Sequence, residues 1–242
     1  MTVMFCATRN LYEYVPGIIY NLLDKNPTVK RIYFFIEDDR FPYLLDERVI
    51  TINVKNFCYK YVREDSPNVN CGWTYMSFVR CYVSRIIPED KIIYLDLDLI
   101  FHGHLELLWN IDFEGNYVCG VKEKDLNVPP VPGFPMGNPY LNTGVLLMNL
   151  KALRETGTDL KLCWLLNTYN LKYPDQDAIN AICRGHIKFI SPSFNNSPVA
   201  DGDAKFIPIA ITHCMRRKPW KKDSPYYNYW KENTEKALGI KL

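Results

Sequence analysis

Short apolar runs alternate along the chain with segments of helical periodicity, which is the pattern of an α/β fold. The apolar runs are rich in β-branched and aromatic residues and are bounded by polar or turn-forming residues, so they predict strands. The predicted strands span residues 2–7, 31–36, 49–54, 92–95, 117–121, 145–149 and 207–212.

Three segments between the apolar runs have the composition and period of helices. VPGIIYNLLDKN, residues 15–26, carries Pro16 where a first helical turn tolerates proline, and an Asn-Pro pair ends it. Residues 73–87 place apolar side chains at helical spacing up to Pro88, and residues 175–184 form a third predicted helix.

One segment fits neither pattern. NVPPVPGFPMGNPY, residues 127–140, contains five prolines and two glycines, which excludes a helix and predicts a semi-rigid surface loop. The loop either faces a substrate or simply connects two elements.

Charge and composition narrow the functional classes. The 242-residue chain is 48% hydrophobic and 23% charged, as expected of a soluble globular enzyme with a substantial core. Its net charge of +2 gives no bulk electrostatic reason to bind nucleic acid or a membrane. An anionic ligand must therefore be held by local groups.

The cysteines and the N-terminal residues bear on location. The eight cysteines contain no Cys-x-x-Cys pair, and several lie inside apolar runs, which favours reduced, buried thiols. The first residues, MTVMFCATRN, lack the features of a signal peptide, and no apolar run approaches the length of a membrane span. A cytoplasmic protein is expected.

Two aspartates interrupt an otherwise apolar segment, YLDLDLIF, residues 94–101. Asp96 and Asp98 lie at the carboxyl end of a predicted buried strand, which is the edge where open α/β sheets bind ligands. In a strand, residues two apart point the same way, about 6.6 Å from each other. Two carboxylates so placed favour a shared divalent cation, which prefers oxygen ligands. The alternative is a pair of solvated acids where a strand leaves the sheet.

Three later segments add further polar groups. THCMRRKPW, residues 212–220, ends a predicted strand with His213 and continues with the cations Arg216, Arg217 and Lys218, which suits a metal ligand beside a phosphate-binding group.

A second segment, KYPDQDAIN, begins a predicted helix. It carries Asp175, Gln176 and Asp177 in the first turn, where carboxylates also serve as caps. PYLNTGVLLMNL, before it in the chain, brings Asn142 to the start of a strand.

In their order along the chain these segments resemble glycosyltransferase family 8, the family of glycogenin and the bacterial lipooligosaccharide galactosyltransferases. The resemblance runs from FCATRNLYEY to KPW and includes the Arg-containing helix before YLDLDLIF, the strand NTGVLLMN, DQDAIN, and the late His with Lys-Pro-Trp. It implies a GT-A fold, a single Rossmann-like domain with a mixed, mainly parallel central sheet. Residues 1–121 would form the nucleotide-binding half, residues 122–220 the sugar and acceptor half, and residues 221–242 a helical tail.

The resemblance also implies the reaction. A hexose moves from a nucleotide-sugar donor, usually UDP-linked, to a hydroxyl of a glycan, glycoprotein or glycolipid acceptor, with Mn²⁺ (or Mg²⁺) and with retention of configuration. By position, Asp96, Asp98 and His213 match the metal ligands, and Lys218 matches the lysine that grips the diphosphate. The segment before Lys218 lacks the family's usual glycine, so one of the two preceding arginines would replace that backbone contact.

Further residues match the donor and sugar sites. Asn142, Asp175 and Gln176 match catalytic residues around the transferred sugar. Arg80 matches a helix arginine that reaches the donor, and the alternative for it is a surface cation.

The loop after the first strand matches the site of the nucleotide base. Ala7, Thr8 and Tyr12 correspond to base-binding residues, with Tyr12 as the stacking ring. Bacterial members carry acidic residues here, whereas this chain reads Thr8-Arg9-Asn10.

Three other functions are compatible with parts of the sequence. An inverting GT-A transferase would need a base, for which Glu123, Asp125 and Asp177 are candidates. A sugar-nucleotide pyrophosphorylase would need a glycine-rich loop after the first strand, and ATRNLYEY has no glycine. A non-catalytic nucleotide-sugar-binding module would bind the donor without turning it over.

The C-terminal segment 218–242 mixes lysines with five aromatic residues. A basic aromatic tail can lie on a membrane surface. The simpler interpretation is a helix that packs back on the protein.

Overall fold

The structure is a computed structural model, and it describes residues 1–55, 57–69, 72–123, 130–197 and 209–241. The chain divides into two compact units, which are treated separately below. Unit 1 comprises Met1–Asn53, Leu95–Ile111 and Ser191–Leu242, and unit 2 comprises Val54–Tyr94 and Asp112–Ile190.

Strands and helices alternate along most of the chain. Numbered in chain order, the strands are β1 Thr2–Cys6, β2 Arg31–Ile36, β3 Val49–Asn53, β4 Lys91–Leu95, β5 Leu99–Phe101, β6 Val118–Lys122, β7 Leu141–Asn149, β8 Ile187–Phe189 and β9 Ile211–His213. The helices are α1 Val15–Lys25, α2 Cys58–Tyr61, α3 Val79–Tyr82, α4 Leu105–Trp109, α5 Leu150–Thr156, α6 Thr158–Thr168, α7 Pro174–Ile182 and α8 Tyr227–Leu238. Short 3₁₀ segments cover Arg9–Tyr14, Tyr75–Phe78, Val83–Arg85 and Pro192–Phe194.

Unit 1 contains two groups of strands. β1, β2 and β3 pair in parallel, with β2 between the other two. β2 is buried over all but its first residue, as expected of an inner parallel strand, whereas β3 is partly exposed. The short strands β5 and β9 pair antiparallel.

The C-terminal helix α8 packs along α1 within unit 1. The two helices come close at Gly17, where a Cβ would collide with Thr234. The ring of Trp220 stacks on Tyr14 at 4.6 Å between centroids, and Trp230 meets Tyr14 edge-on. The interpretation of the tail as a helix packed back on the protein is therefore confirmed.

Unit 2 contains the strands β4, β7, β6 and β8, adjacent in that order. β6 pairs antiparallel with β7 and parallel with β8, so this group is mixed. β7 is buried along nearly its whole length, and α7 packs against it.

Five of the predicted strands, those at 2–7, 31–36, 49–54, 92–95 and 117–121, are confirmed to within one residue at each end. The strand predicted at 145–149 begins earlier, at Leu141, because the polar residues that open it are buried through hydrogen bonds to α7. The strand predicted at 207–212 is observed only at its end, as β9; residues 209 and 210 precede the observed strand, and residues 207 and 208 lie outside the described residues.

The helix predicted over 73–87 is not one continuous α-helix. It consists of α3 between two 3₁₀ segments. The sequence did not distinguish these forms because an i, i+3 apolar spacing, as between Met76 and Val79, suits both kinds of helix. Both side chains are buried, as the period predicts.

Two sequence-based expectations of a general kind can be compared with the structure. Among the described residues no disulfide joins any of the seven cysteines, in agreement with the predicted reduced thiols; Cys71 lies outside these residues. In the described part of the chain, no helix combines the length and apolar character that a membrane span requires.

Candidate active site

The aspartate pair lies in the bend between β4 and β5. β4 ends at Leu95 and β5 begins at Leu99, so Asp96 and Asp98 occupy the exit from a buried strand. The antiparallel pairing of β5 with β9 places Leu99 opposite His213. The backbone N–H of Cys214 donates to the carbonyl of Asp98 at 2.8 Å, which brings the end of β9 to the aspartates.

Three side chains converge at this point in unit 1. One candidate ligand atom from each of Asp96, Asp98 and His213 lies within 4.8 Å of the other two. His213 Nε2 is 3.3 Å from Asp98 Oδ1 and 3.8 Å from Asp96 Oδ2. The three predicted metal ligands therefore lie close together in the structure.

The donor set fits a divalent cation. Two carboxylates are ligands that both Mn²⁺ and Mg²⁺ prefer, and the imidazole favours Mn²⁺ of the two; such ions keep further positions for water or phosphate oxygens. Asp98 and His213 are buried, whereas the side chain of Asp96 is 28% exposed. The open side of the site is therefore at Asp96.

The orientation of His213 is set by Asn195. His213 Nδ1 lies 2.8 Å from Asn195 Oδ1, so Nδ1–H donates to the amide oxygen and Nε2 faces the carboxylates. Asn195 was missed by the sequence analysis. The only signal for it is its place before the strand that carries His213.

Lys218 lies beside the same carboxylate. Its Nζ is 2.5 Å from Asp98 Oδ2, so in this structure the ammonium contacts a metal-ligand candidate. Burial alone would raise the pKa of Asp98, but His213 and Lys218 lower it below its usual range. Burial would lower the pKa of His213, but Asp98 and Asp96 raise it. The cluster thus keeps Asp98 ionised and ready to bind a cation.

The loop after β1 only partly fits its predicted role. Ala7 is buried and continues β1 through a hydrogen bond from its N–H to the Phe35 carbonyl at 3.0 Å. Thr8 is partly exposed and its hydroxyl donates to Asn10. These two positions stay predictions for the base site.

The prediction that Tyr12 stacks on a base is wrong for this geometry. Tyr12 is 4% exposed, and its ring packs against Phe41 at 5.0 Å and Phe34 at 6.5 Å between centroids. Its hydroxyl accepts from the N–H of Glu37 at 2.8 Å, and burial raises its pKa to about 12. A ring enclosed in the core offers no open face to a base.

A second polar cluster forms in unit 2, where β7 begins beside the N-terminus of α7. The N–H of Thr143 donates to Gln176 Oε1 at 3.0 Å, and the Thr143 hydroxyl donates to Asp175 Oδ2 at 3.2 Å. Asn142 Nδ2 donates to Glu123 Oε2 at 2.6 Å. The three residues predicted to surround the sugar therefore meet at the start of β7, with Thr143, which the sequence analysis missed, as the link.

Arg80 is neither a surface cation nor a free guanidinium. It is 4% exposed; Nη1 donates to the Thr143 carbonyl at 2.6 Å and lies 3.2 Å from Asp175 Oδ2. Nε donates to the Ser77 carbonyl, Nη2 donates to the Tyr94 hydroxyl, and the guanidinium lies 3.8 Å from the centroid of the Tyr94 ring. Protein atoms contact all three guanidinium nitrogens, so we expect a positioning role for Arg80, and its reach to the donor stays a prediction.

Asp177 is fully buried, with both oxygens occupied. Oδ1 accepts from the Tyr140 hydroxyl at 2.5 Å, and Oδ2 accepts from the N–H of Tyr173 at 2.9 Å. Burial raises the pKa of Asp177. Of the bases considered for an inverting reaction, Asp177 is thus closed to a substrate, Glu123 pairs with Asn142, and Asp125 lies outside the described residues.

Sequence comparisons match this chain to known enzymes. Residues 2–224 match the family described as Glycosyl transferase family 8. A putative glycosyltransferase of Haemophilus influenzae is 28% identical, over 94% of this chain and 75% of its own length. Glycosyltransferase GlyB of Streptococcus pneumoniae is 28% identical, over 91% of this chain and 57% of its own length. A lipopolysaccharide 1,2-glucosyltransferase of Escherichia coli is 25% identical, over 69% of this chain and 47% of its own length.

Solved structures show the same fold. An active-site mutant of LgtC superposes with a TM-score of 0.77 at 21% identity, covering 98% of this chain and 96% of LgtC. The galactosyltransferase LgtC in complex with donor and acceptor sugar analogues gives a TM-score of 0.73 at 20% identity, covering 100% and 97%. The chain therefore belongs to glycosyl transferase family 8 and is a glycosyltransferase with the α/β GT-A fold.

Proposed function

We propose that the protein transfers a hexose from a UDP-linked nucleotide sugar to a hydroxyl of a glycan, glycoprotein or glycolipid, with a divalent cation and with retention of configuration. The observation that carries this proposal is the convergence of Asp96, Asp98 and His213, whose ligand atoms lie within 4.8 Å of one another. A lipopolysaccharide glucosyltransferase among the relatives and the sugar analogues bound to LgtC support a nucleotide-sugar donor and a glycan acceptor.

The metal-binding residues would act on the leaving group. Mn²⁺, or Mg²⁺ in its place, supplies Lewis-acid stabilisation of the negative charge on the departing diphosphate. Asp96, Asp98 and His213 would hold the cation, with the exposed side of Asp96 turned to the donor. Lys218, 2.5 Å from Asp98, adds a fixed positive charge of the preorganised kind that lowers barriers.

The polar cluster of unit 2 would bind the transferred sugar. Gln176 and Asp175 place carbonyl and carboxylate oxygens where an oxocarbenium-like state can be stabilised. An amide is a poor nucleophile, so we favour attack of the acceptor hydroxyl on the same face from which the diphosphate leaves. The burial of Asp177 supports retention, because this carboxylate is not available as an inverting base.

The domain organisation, the location and the partners of the protein complete the proposal. We propose one GT-A domain over residues 1–242, with a nucleotide half at 1–121, a sugar and acceptor half at 122–220 and the tail at 221–242. A cytoplasmic location and the absence of nucleic acid partners stay predictions from composition, as does the alternative of membrane contact through the tail.

Metal-dependent nucleotide binding is the first test. Calorimetry with UDP is expected to show binding in the presence of Mn²⁺ and a large loss of affinity in EDTA, because the diphosphate oxygens complete the cation's coordination. Hydrolysis of a panel of nucleotide sugars should show the same dependence and identify the donor.

Three outcomes of this test separate the remaining functions. UDP binding that is equal with Mn²⁺ and with EDTA contradicts the metal site. Binding without turnover of any donor indicates a non-catalytic module. Turnover that yields a product of inverted configuration contradicts retention and leaves the transferase assignment intact.

A further inference from the structure

A separate pocket lies in unit 2, between the proline-rich loop and the last turn of α7. It has a volume of about 280 Å³, near the lower end of the ~300–1,000 Å³ typical of small-molecule sites. Its walls come from residues 135–140, from α7 and the two residues after Cys183, and from β8. The pocket therefore has room for a small ring with one or two substituents.

Arg184 gives this pocket its chemical character. Among the described residues that line the pocket, it is the one charged residue, and none of them carries a carboxylate. The side chain is exposed, and its guanidinium makes no hydrogen bond or ion pair with the described residues. Other arginines of unit 2, such as Arg80 and Arg85, are engaged by carboxylates. Within the described part of the chain, the five N–H donors of Arg184 thus have no partner, and they lie beside a cavity.

The remaining walls favour an anion that carries an apolar surface. Met136, Ile187 and Phe189 line the pocket, and Phe189 is 37% exposed. Apolar walls exclude water, which strengthens a charge-assisted pair between guanidinium and carboxylate or phosphate. A pyranose ring with an acidic substituent presents both surfaces, because its C–H face is apolar and its substituent is charged.

The pocket adjoins the polar cluster of unit 2, which lies at the start of β7 and the N-terminus of α7. Tyr140 lines the pocket and stands two residues before Asn142, about 6.6 Å along an extended chain. Asn180 lines it from one turn beyond Gln176, about 6 Å along a helix. Asn180 also bonds the N–H and carbonyl of Leu141, at 2.7 and 2.9 Å, which fixes the helix to the strand. A sugar in the pocket would therefore lie close to the cluster that holds the transferred hexose.

We propose that this pocket binds an acidic sugar unit of the acceptor, with Arg184 pairing its carboxylate or phosphate and the apolar wall contacting its ring. The proposal rests on the transferase function proposed above and adds the substrate class: an acceptor glycan that bears an anionic group.

Two matched pairs of probes test the proposal. The carboxylate arm compares p-nitrophenyl β-glucuronide with p-nitrophenyl β-glucoside, and the phosphate arm compares glucose 6-phosphate with glucose. Binding is measured by calorimetry or ligand-observed NMR to the wild-type protein, to Arg184→Gln and to Lys161→Gln. Lys161, exposed on α6, serves as a control that removes one positive charge from the same unit.

In at least one arm, the wild type is expected to bind the acidic probe about 10–100-fold more tightly than its neutral twin, the range for a charge-assisted hydrogen bond. Arg184→Gln should erase this preference, and Lys161→Gln should keep it. A preference in one arm identifies the anion as carboxylate or phosphate. Equal binding of both pairs by the wild type, or a preference that survives in Arg184→Gln, overturns the proposal.

The failure of this proposal can be distinguished from the failure of the proposed transferase function. The probe experiment uses neither UDP nor Mn²⁺, whereas the proposed function is judged on metal-dependent UDP binding by the wild type. If the wild type prefers the acidic probe but shows no metal-dependent UDP binding, the proposed transferase function is contradicted and the acidic-sugar site stands.

Discussion

Replacement of Asp98 by alanine is expected to abolish sugar transfer, with a loss of about 10³-fold or more in rate. Asp98 is buried, 3.3 Å from His213 Nε2 and 2.5 Å from Lys218 Nζ, so its removal takes away a metal ligand and the partner of both cations. Lewis-acid stabilisation is worth several kcal/mol, and each 1.36 kcal/mol is tenfold in rate. The rate of metal-dependent donor turnover and the affinity for Mn²⁺ measure the effect.

Asp223→Ala is the matched control, because Asp223 is an exposed acid of the same unit. This variant should retain wild-type turnover and Mn²⁺ affinity. If Asp98→Ala keeps more than a tenth of the wild-type rate while its Mn²⁺ affinity is unchanged, the aspartate is not a metal ligand.

The second large effect is expected at Arg80. Arg80→Met should lower the free energy of unfolding by about 3–5 kcal/mol, the cost of leaving a buried charge without its partner. The carboxylate that would lose its partner is that of Asp175, which is 7% exposed and lies 3.2 Å from the guanidinium. The Thr143 carbonyl loses its donor as well. Urea unfolding followed by circular dichroism measures the change, and donor turnover should fall with it.

Arg63→Met is the control for this experiment. Arg63 pairs with Asp65 at 2.8 Å, but both side chains are more than half exposed, so the loss should stay within about 1 kcal/mol. Adding Asp175→Asn to Arg80→Met should recover part of the stability, because an amide needs no counter-charge. A loss below 1 kcal/mol in Arg80→Met, with no recovery in the double variant, would contradict the positioning role.

The sequence placed the three proposed metal ligands at strand ends but did not show how they meet. The alternation of apolar runs placed Asp96, Asp98 and His213 at the ends of strands, and this follows from local pattern alone. Their convergence depends on the pairing of β5 with β9, two strands of three residues each. Runs this short carry no period that distinguishes them from a loop, so their pairing is a tertiary property.

Two residues, Tyr12 and Arg80, are buried in ways that the sequence pattern did not predict. The sequence around Tyr12 is compatible with a ring in the core and with a ring that contacts a ligand. The ring is buried because Phe34 and Phe41, which belong to other segments of the chain, pack against it. Arg80 was predicted to reach the donor, with a surface cation as the alternative, yet its guanidinium is buried against Tyr94 and Asp175. Neither environment is visible from neighbours in the sequence.

Thr143 and Asn195 were missed for a different reason. Each acts through a hydrogen bond to a residue distant in the chain, Thr143 to Asp175 and Asn195 to His213. Thr and Asn are common in strands and loops without any such role. Only the partner's position gives them a function.

Anomalous diffraction at the manganese edge, from crystals soaked with Mn²⁺ and UDP, tests the site most directly. The account predicts one strong peak within about 2.0–2.6 Å of carboxylate oxygens of Asp96 and Asp98 and of His213 Nε2, with diphosphate oxygens on its open side. A peak elsewhere, or a pocket in which Lys218 still pairs with Asp98 and no cation is bound, would contradict it.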